Sequence, residues 1–370
     1  MSLNFQKLFY VIASSFGIIA IMIFAKAVLI PLAFALMLAF ILFPMVKWFE
    51  RRHFSTTLAT FTSMLLVALF IAAGILLFST QIIGLAEDFD DFQNKLLNVF
   101  VEATTFINRN IGFIDDMETE DLIDQVKSWI NNSAGVLARQ TFSGTAAFLT
   151  GLVSTVIFTF LILIYRTGLT HAFVMFFPAE KRGRAARMFK SVQQVGKKYL
   201  SGMVLMITIL GFANSIGLWI IGLDNPFLFG FMAAVLAIIP YVGTILGAAI
   251  PVLYAFVTYD VIWMPVMVAL MFWLVQVIES NFLTPKIVGG SLKVNALVAI
   301  LSIIIGAAIW GVAGMILFLP FAAMLKVVSA EYEELKPVAL LIGEQGEEDE
   351  KPTSPIWLKV KDKVKGWFNR

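Results

Sequence analysis

The 370-residue chain contains no cysteine and only two histidines. The first absence removes disulfides, thiolate metal sites and cysteine nucleophiles together. The second leaves His53 and His171, which lie in segments connecting apolar runs and belong to no HExxH pattern. Neither a Gly-x-Ser-x-Gly elbow nor a Walker sequence occurs, so serine hydrolysis and ATP hydrolysis have no motif to rest on. Charge is scarce as well, at 14% of residues with a net of +2. The basic residues cluster beside apolar runs and not in one groove, which argues against a nucleic-acid partner.

What replaces charge is hydrocarbon. The chain is 59% hydrophobic with a mean hydropathy of +0.88, more apolar surface than a soluble domain of this size can bury. The sequence therefore predicts an all-α, polytopic membrane protein surrounded by lipid bilayer. Crossing a core of about 30 Å takes about 20 apolar residues. The runs at 8–25, 27–46, 58–77, 145–165, 200–221 and 261–283 qualify. The first has no small-residue cleavage site and is followed directly by the second, so it reads as a retained helix.

Lysine and arginine near the ends of spans are held in the cytoplasm. Lys47, Arg51 and Arg52 follow the second span, and a run from Arg166 to Lys198 separates the fourth from the fifth. Both segments are expected to be cytoplasmic, as are both termini. The segment after the third span is acidic, with Glu87, Asp88, Asp90, Asp91, Asp115 and Asp116 among its carboxylates. It reads as two amphipathic helices outside the membrane, serving as a structural cap, an oligomer contact or a substrate vestibule. The predicted division is 1–83 for the first membrane helices, 84–144 for the external segment and 145–199 for a span with a basic amphipathic helix. A transport core at 200–330 and a cytoplasmic tail at 331–370 complete it. The amphipathic stripe Ala185, Met188, Val192, Val195, Tyr199 suits either a helix lying among headgroups or a linker helix packed on the bundle. The tail reads as an acidic linker followed by a second surface helix, where Trp357, Val360, Val364 and Trp367 alternate with lysines.

The stretch 227–327 says most. Its apolar runs are broken by Ile239-Pro240-Tyr241-Val242-Gly243 and by Trp310-Gly311-Val312-Ala313-Gly314. In hydrocarbon an unpaired backbone group costs several kcal/mol, so breaks survive only where they are buried in protein or line a wet cavity. Segments 227–259 and 295–327 are each too long for one span and too short for two. Each half is expected to reach about 20 to 25 Å. Each segment is a re-entrant hairpin or one long kinked helix. Two full crossings of each would place Lys286 and Lys293 outside, whereas hairpins place them in the cytoplasm, so loop charge favours hairpins. The result is an inverted repeat of the kind secondary transporters use.

Within this frame Glu279 is the sharpest residue, an ionisable group in an apolar span. Intramembrane carboxylates commonly mark ion or proton paths. The competing reading pairs it structurally with Lys286, seven residues on, or with Lys293. Gln276 and Asn281 flank it, and Pro285 follows. Asn214 in the fifth span and Asn295 at the start of the last segment are further path candidates, though lone polar groups are also ordinary interhelical contacts. Pro240, Gly243, Gly247 and Pro251 are expected to shape the first hairpin tip, and Gly306, Gly311, Gly314 and Pro320 the second, unless they are plain small-residue packing.

At these residues the chain resembles the autoinducer-2 exporter (AI-2E) family of bacterial transporters. The match is carried by four blocks in order: Ile30-Pro31-Leu32-Ala33 through Pro44 to Arg52; Ile239-Pro240-Tyr241-Val242-Gly243 with Gly247 and Pro251; Glu279-Ser280-Asn281-Phe282-Leu283-Thr284-Pro285-Lys286-Ile287-Val288-Gly289; and Gly306 with Gly311-Val312-Ala313-Gly314-Met315 and Pro320. One departure is Asn295-Ala296, where the family often has His-Pro. The resemblance implies export of a small molecule or signal from the bacterial inner membrane, sodium/proton antiport in some relatives, and homo-oligomers. It implies no cofactor beyond coupling to H+ or Na+. A passive channel is a further reading, and a membrane enzyme would need a nucleophile and base at membrane depth, which the sequence does not offer.

Overall fold

The computed structural model describes residues 5–87, 148–289 and 293–344, together with Asn98, Val101 and Glu102. Most of the external segment, Ser291 and the tail beyond Glu344 lie outside the described residues, and with them the expected external helices and the terminal surface helix. Among the described residues the structure is helical, with a single isolated bridge between Val294 and Gly343.

Helix α1 (Phe5–Phe24) stops at Ala25 and α2 (Lys26–Glu50) follows at once. Helix α3 (Thr56–Glu87) and α4 (Phe148–Met175) pack on α2 through Ala39, Leu42, Val46, Ala59 and Leu163. Hydroxyls are buried in this layer without internal conflict. Thr60, Ser63, Thr155 and Thr159 each donate to the carbonyl four residues back, at 2.7–2.8 Å, and so behave as small packing residues. At one end Arg166 of α4 is ion-paired with Glu50 of α2, and its guanidinium also lies over Phe43.

Helix α5 (Arg182–Ile221) runs unbroken for 40 residues, about 60 Å. The sequence separates a basic amphipathic helix ending at 199 from a span starting at 200, but the backbone passes through that point as one helix. The apolar stripe at Ala185, Met188 and Tyr199 is buried against the bundle, the packing that the linker-helix reading describes. Gly222, at φ +87°, closes α5 by donating to Leu218 O.

Two helical hairpins follow. The first is α6 (Pro226–Leu236) and α7 (Val242–Thr258), and the second is α9 (Ala296–Trp310) and α10 (Val312–Ala330). Between them runs α8 (Trp263–Ile278), continued by wide π-helical turns at Glu279–Leu283 and Pro285–Gly289. Residues far apart in sequence meet across each break. A Cβ on Gly247 would lie 3.0 Å from Ala233 Cα, and one on Gly314 would lie 1.9 Å from Gly306 O. Continuous kinked helices cannot make these contacts, so each segment is an antiparallel hairpin. Its arms are unequal, however. They have 11 and 17 residues in the first hairpin and 15 and 19 in the second, or about 16, 25, 22 and 28 Å. A short α11 (Lys336–Ile342) packs back on α10.

Among the described residues six helices are long and apolar enough to cross a membrane: α2, α3, α4, α5, α8 with its π turns, and α10. The expected first span corresponds to α1, whose apolar part Ile12–Phe24 is shorter.

Candidate functional site

The long helix α5 positions both hairpins, one against each half. On its C-terminal half Gly230 of α6 faces Ser215, where a Cβ would sit 2.3 Å from the serine hydroxyl, and Gly211 lies against the ring of Phe231. On its N-terminal half Gly196 sits against Met324 of α10 and Phe40 of α2, and Arg184 pairs with Glu331 at 3.0 Å. The tip of the second hairpin is held by Trp310, whose indole N–H donates to Met22 O at 2.9 Å. That carbonyl lies in the last turn of α1, where helix carbonyls lack a partner of their own. The base of the first hairpin carries Asp224 and Asp260, and Tyr259 ties its two loops together. The phenol donates to Asp224 Oδ2 at 2.9 Å and accepts from Asp224 N–H at 3.0 Å. Partial burial pushes its pKa up to about 12.

Between α5, the first hairpin and α8 lies a cleft whose empty space, counted to its open mouth, is about 300 Å³. Its walls are mostly small or apolar: Leu210, Ala233, Ala234, Gly247, Ala248 and Phe272. The polar groups are Asn214, Thr244, Gln276 and Glu279. The Glu279 carboxylate accepts from Gln276 Nε2 at 2.7 Å and from Thr284 Oγ1 at 3.2 Å. It has no ion pair among the described residues. Lys286 is exposed and does not reach it, because the π turns take Lys286 off the face that seven α-helical residues would have given it. The competing reading, a pair with Lys286, is not realised, and two neutral donors hold the carboxylate instead.

Of the residues singled out from sequence, Gln276, Glu279, Asn214 and Gly247 come together here, while Thr244 and Thr284 were missed. Thr244 follows Gly243 on the small-residue stretch of α7, a signal that was legible. Asn281 is exposed and bonds locally, donating to Val277 O at 2.8 Å. Asn295 does not line this cleft. Its Oδ1 caps α9 by accepting from Val298 N–H at 2.9 Å, while its Nδ2 donates to Leu341 O at 2.7 Å and Gly343 O at 3.0 Å. Pro285 starts the second π turn, and Lys286 precedes Ile287, whose carbonyl faces Gly202 of α5. Pro240 lies in the first tip, and Gly243 and Gly247 make its arm contacts. Pro251 and Pro320 are buried inside the arms and do not form tips. Gly306 and Gly314 form the arm contact of the second hairpin. Gly311 is its tip but approaches nothing within 4 Å; its need is conformational, at φ +60° and ψ −137°. Among the described residues no cluster of His, Asp and Glu could hold a metal ion.

A broken helical hairpin beside a cleft with four polar groups, and six membrane-length helices among the described residues, define a polytopic membrane protein. The sequence matches the AI-2E family of transporters over residues 12–334, and the chain belongs to that family. It is 26% identical to YrrI of Bacillus subtilis over 84% of this chain and 88% of that protein. It is 23% identical to the AI-2 transport protein TqsA of Escherichia coli K12, over 88% and 92%.

Proposed function

We propose that this chain is a secondary-active exporter of a small polar solute or signalling molecule in the bacterial inner membrane. The observation that carries the proposal is Glu279, a carboxylate held by two neutral donors and with no ion pair among the described residues, in a cleft between a helical hairpin and two membrane-length helices. A carboxylate in a low-dielectric region needs a proton, a cation or a dipole to offset its charge. Loading and unloading that charge as the cleft faces alternate sides is a physical basis for coupling to an ion gradient. The name of TqsA supports a signal of the AI-2 type as one substrate.

Charge distribution supports the re-entrant reading of the hairpins. Asp224, Asp260, Trp219 and Trp263 gather at the base of the first hairpin, and aromatic residues suit a membrane interface there. At the base of the second lie Lys293 and Lys326, the latter donating to Lys293 O at 2.8 Å. Met324 abuts Gly196, next to Lys197 and Lys198. If Lys197 and Lys198 mark the interface at the level of Met324, Gly311 lies about 20 Å deeper, short of a full crossing, which supports a hairpin that enters and leaves on the side of the basic half of α5. That end is cytoplasmic under the positive-inside rule, and both termini share it. Lipid and further copies of the chain are the partners this reading assigns to the exposed apolar faces of α3.

A second reading, a cation/proton antiporter on the same scaffold, is favoured by Glu279 having no cationic side chain paired with it among the described residues. Flux into proteoliposomes with and without imposed proton or sodium gradients tests both. Solute accumulation driven by a gradient supports the exporter, and cation flux without solute supports the antiporter. Equilibration that never exceeds the outside concentration indicates a channel and refutes both.

A further inference from the structure

Asn214 lies in the C-terminal half of α5, lines the cleft and is only 5% exposed. Among the described residues its Oδ1 has no hydrogen-bond partner. The adjacent Ser215 shows how this helix treats a buried polar side chain that only packs: its hydroxyl donates to Gly211 O at 2.6 Å. Burial of an unmatched carboxamide is costly, and a leucine of similar size would fill the same place without that cost. The position keeps a polar group that the fold itself leaves unused.

The surroundings define what would use it. Glu279 contributes a negative charge and acceptor oxygens. Gln276 spends one donor on Glu279, and Thr244 spends its hydroxyl proton on Tyr241 O at 2.9 Å. Among the described residues no lysine or arginine lines the cleft. A carboxylate or phosphate would meet Glu279 with no cation to offset the repulsion. The empty space of about 300 Å³, counted to the open mouth, leaves room for the head of a small solute and not for a bulky one.

We infer that Asn214 reads the ligand, and that the cleft admits the hydrogen-bonding, non-anionic head of a small solute, a hydroxymethyl or an ammonium group, while rejecting anions. The ligand donates to Glu279 and satisfies the Asn214 carboxamide. The inference rests on the cleft being the transport site, and it is separable from transport because it predicts binding.

The experiment measures thermal unfolding of the purified full-length protein in detergent with millimolar erythritol, ethylammonium or propionate. Erythritol, ethylammonium or both raise the wild-type midpoint, the one that does so identifying the head group, and propionate leaves it unchanged. Asn214→Leu without ligand unfolds about 2–4 °C above wild type, because an unsatisfied buried group is gone, and it no longer responds to the effective probe. Asn214→Ala, which adds no bulk, loses the response too. An equal rise with propionate, no rise with either other probe, or an undiminished response in Asn214→Ala overturns the inference. If the wild type shows the predicted shifts but passes none of the probes across a liposome membrane, the transport reading fails while the binding inference stands.

Discussion

The contact between the arms of the second hairpin makes a sharp prediction for Gly314→Ala. A Cβ at Gly314 would lie 1.9 Å from Gly306 O and 2.4 Å from Gly306 C, where ordinary contact begins at 3.4 Å. The obstacle is backbone, which cannot turn aside as a side-chain end can, so the arms must part by about 1.5 Å over at least one turn. Overpacking of this kind costs about 1–3 kcal/mol. Replacing a helical glycine with alanine returns up to about 1 kcal/mol, so the net expectation is a loss of about 1–2 kcal/mol. Gly151→Ala is the control: its Cβ meets nothing within 4 Å, and only the propensity gain applies. Melting in detergent is expected to put Gly314→Ala about 2–6 °C below wild type and Gly151→Ala at or slightly above it. A Gly314→Ala protein as stable as the control would mean that α9 and α10 do not pack at this point, and the hairpin assignment would fall with it.

Four further outcomes follow from the same geometry. Glu279→Gln is expected to abolish dependence of flux on a proton gradient with little loss of stability, whereas Lys286→Met leaves both unchanged; a melting point lowered by Lys286→Met would restore the discarded ion pair. Asn295→Ala removes a helix cap and two bonds to the chain before and at Gly343, and is expected to cost about 1–3 kcal/mol, seen as early proteolysis of the C-terminal segment; equal protease resistance would contradict that role. In this cysteine-free chain, Asp260→Cys is expected to react with an impermeant thiol reagent on intact cells and Glu334→Cys only after permeabilisation, and the reverse pattern would invert the topology. Tyr259 has a folded pKa of about 12 against an ordinary 10, so the unfolded chain loses the proton first. Its contribution is present below pH 10 and is lost as pH rises towards 12. Tyr259→Phe is expected to flatten this alkaline decline, and an unchanged profile would dissociate Tyr259 from it.

Composition and hydropathy made the helical membrane class legible, because lipid imposes a single backbone solution on exposed chain. The two breaks were readable for the same reason, since Pro240 and Gly311 interrupt runs that would otherwise continue. The partners of Glu279 were not readable. Thr284 is five residues on, a spacing that meets its mark only when the helix widens, and no α-helical period anticipates that. The capping role of Asn295 was not readable, because a polar residue at the head of an apolar run suits a path or a cap equally, and its bonds to Leu341 and Gly343 reach 46 and 48 residues along the chain. The continuity of α5 was hidden by its change from a basic half to an apolar half, which marks a change of surroundings and not an end of the helix. Gly243 and Gly311 look alike in sequence but differ in kind. A Cβ on the first would strike Leu236 O at 1.6 Å, while the second faces open space in a backbone conformation that side chains disfavour.

The wide turns after Ile278 bear on how fast such a protein can work. An i→i+5 turn can travel along a helix by trading one hydrogen bond at a time, so the strand of partners is never opened all at once. Each such step swings the residues it passes around the helix axis. For Glu279 this is a means of rotation that leaves at most about one donor and one acceptor momentarily unmatched, against the several kcal/mol that each orphaned group costs in hydrocarbon. Reorienting the carboxylate by unwinding a whole turn would expose several such groups at once. The π turns of 279–289 thus put the wide geometry at the residue that carries the carboxylate, and the Ile287 carbonyl at their far end packs against Gly202 of α5.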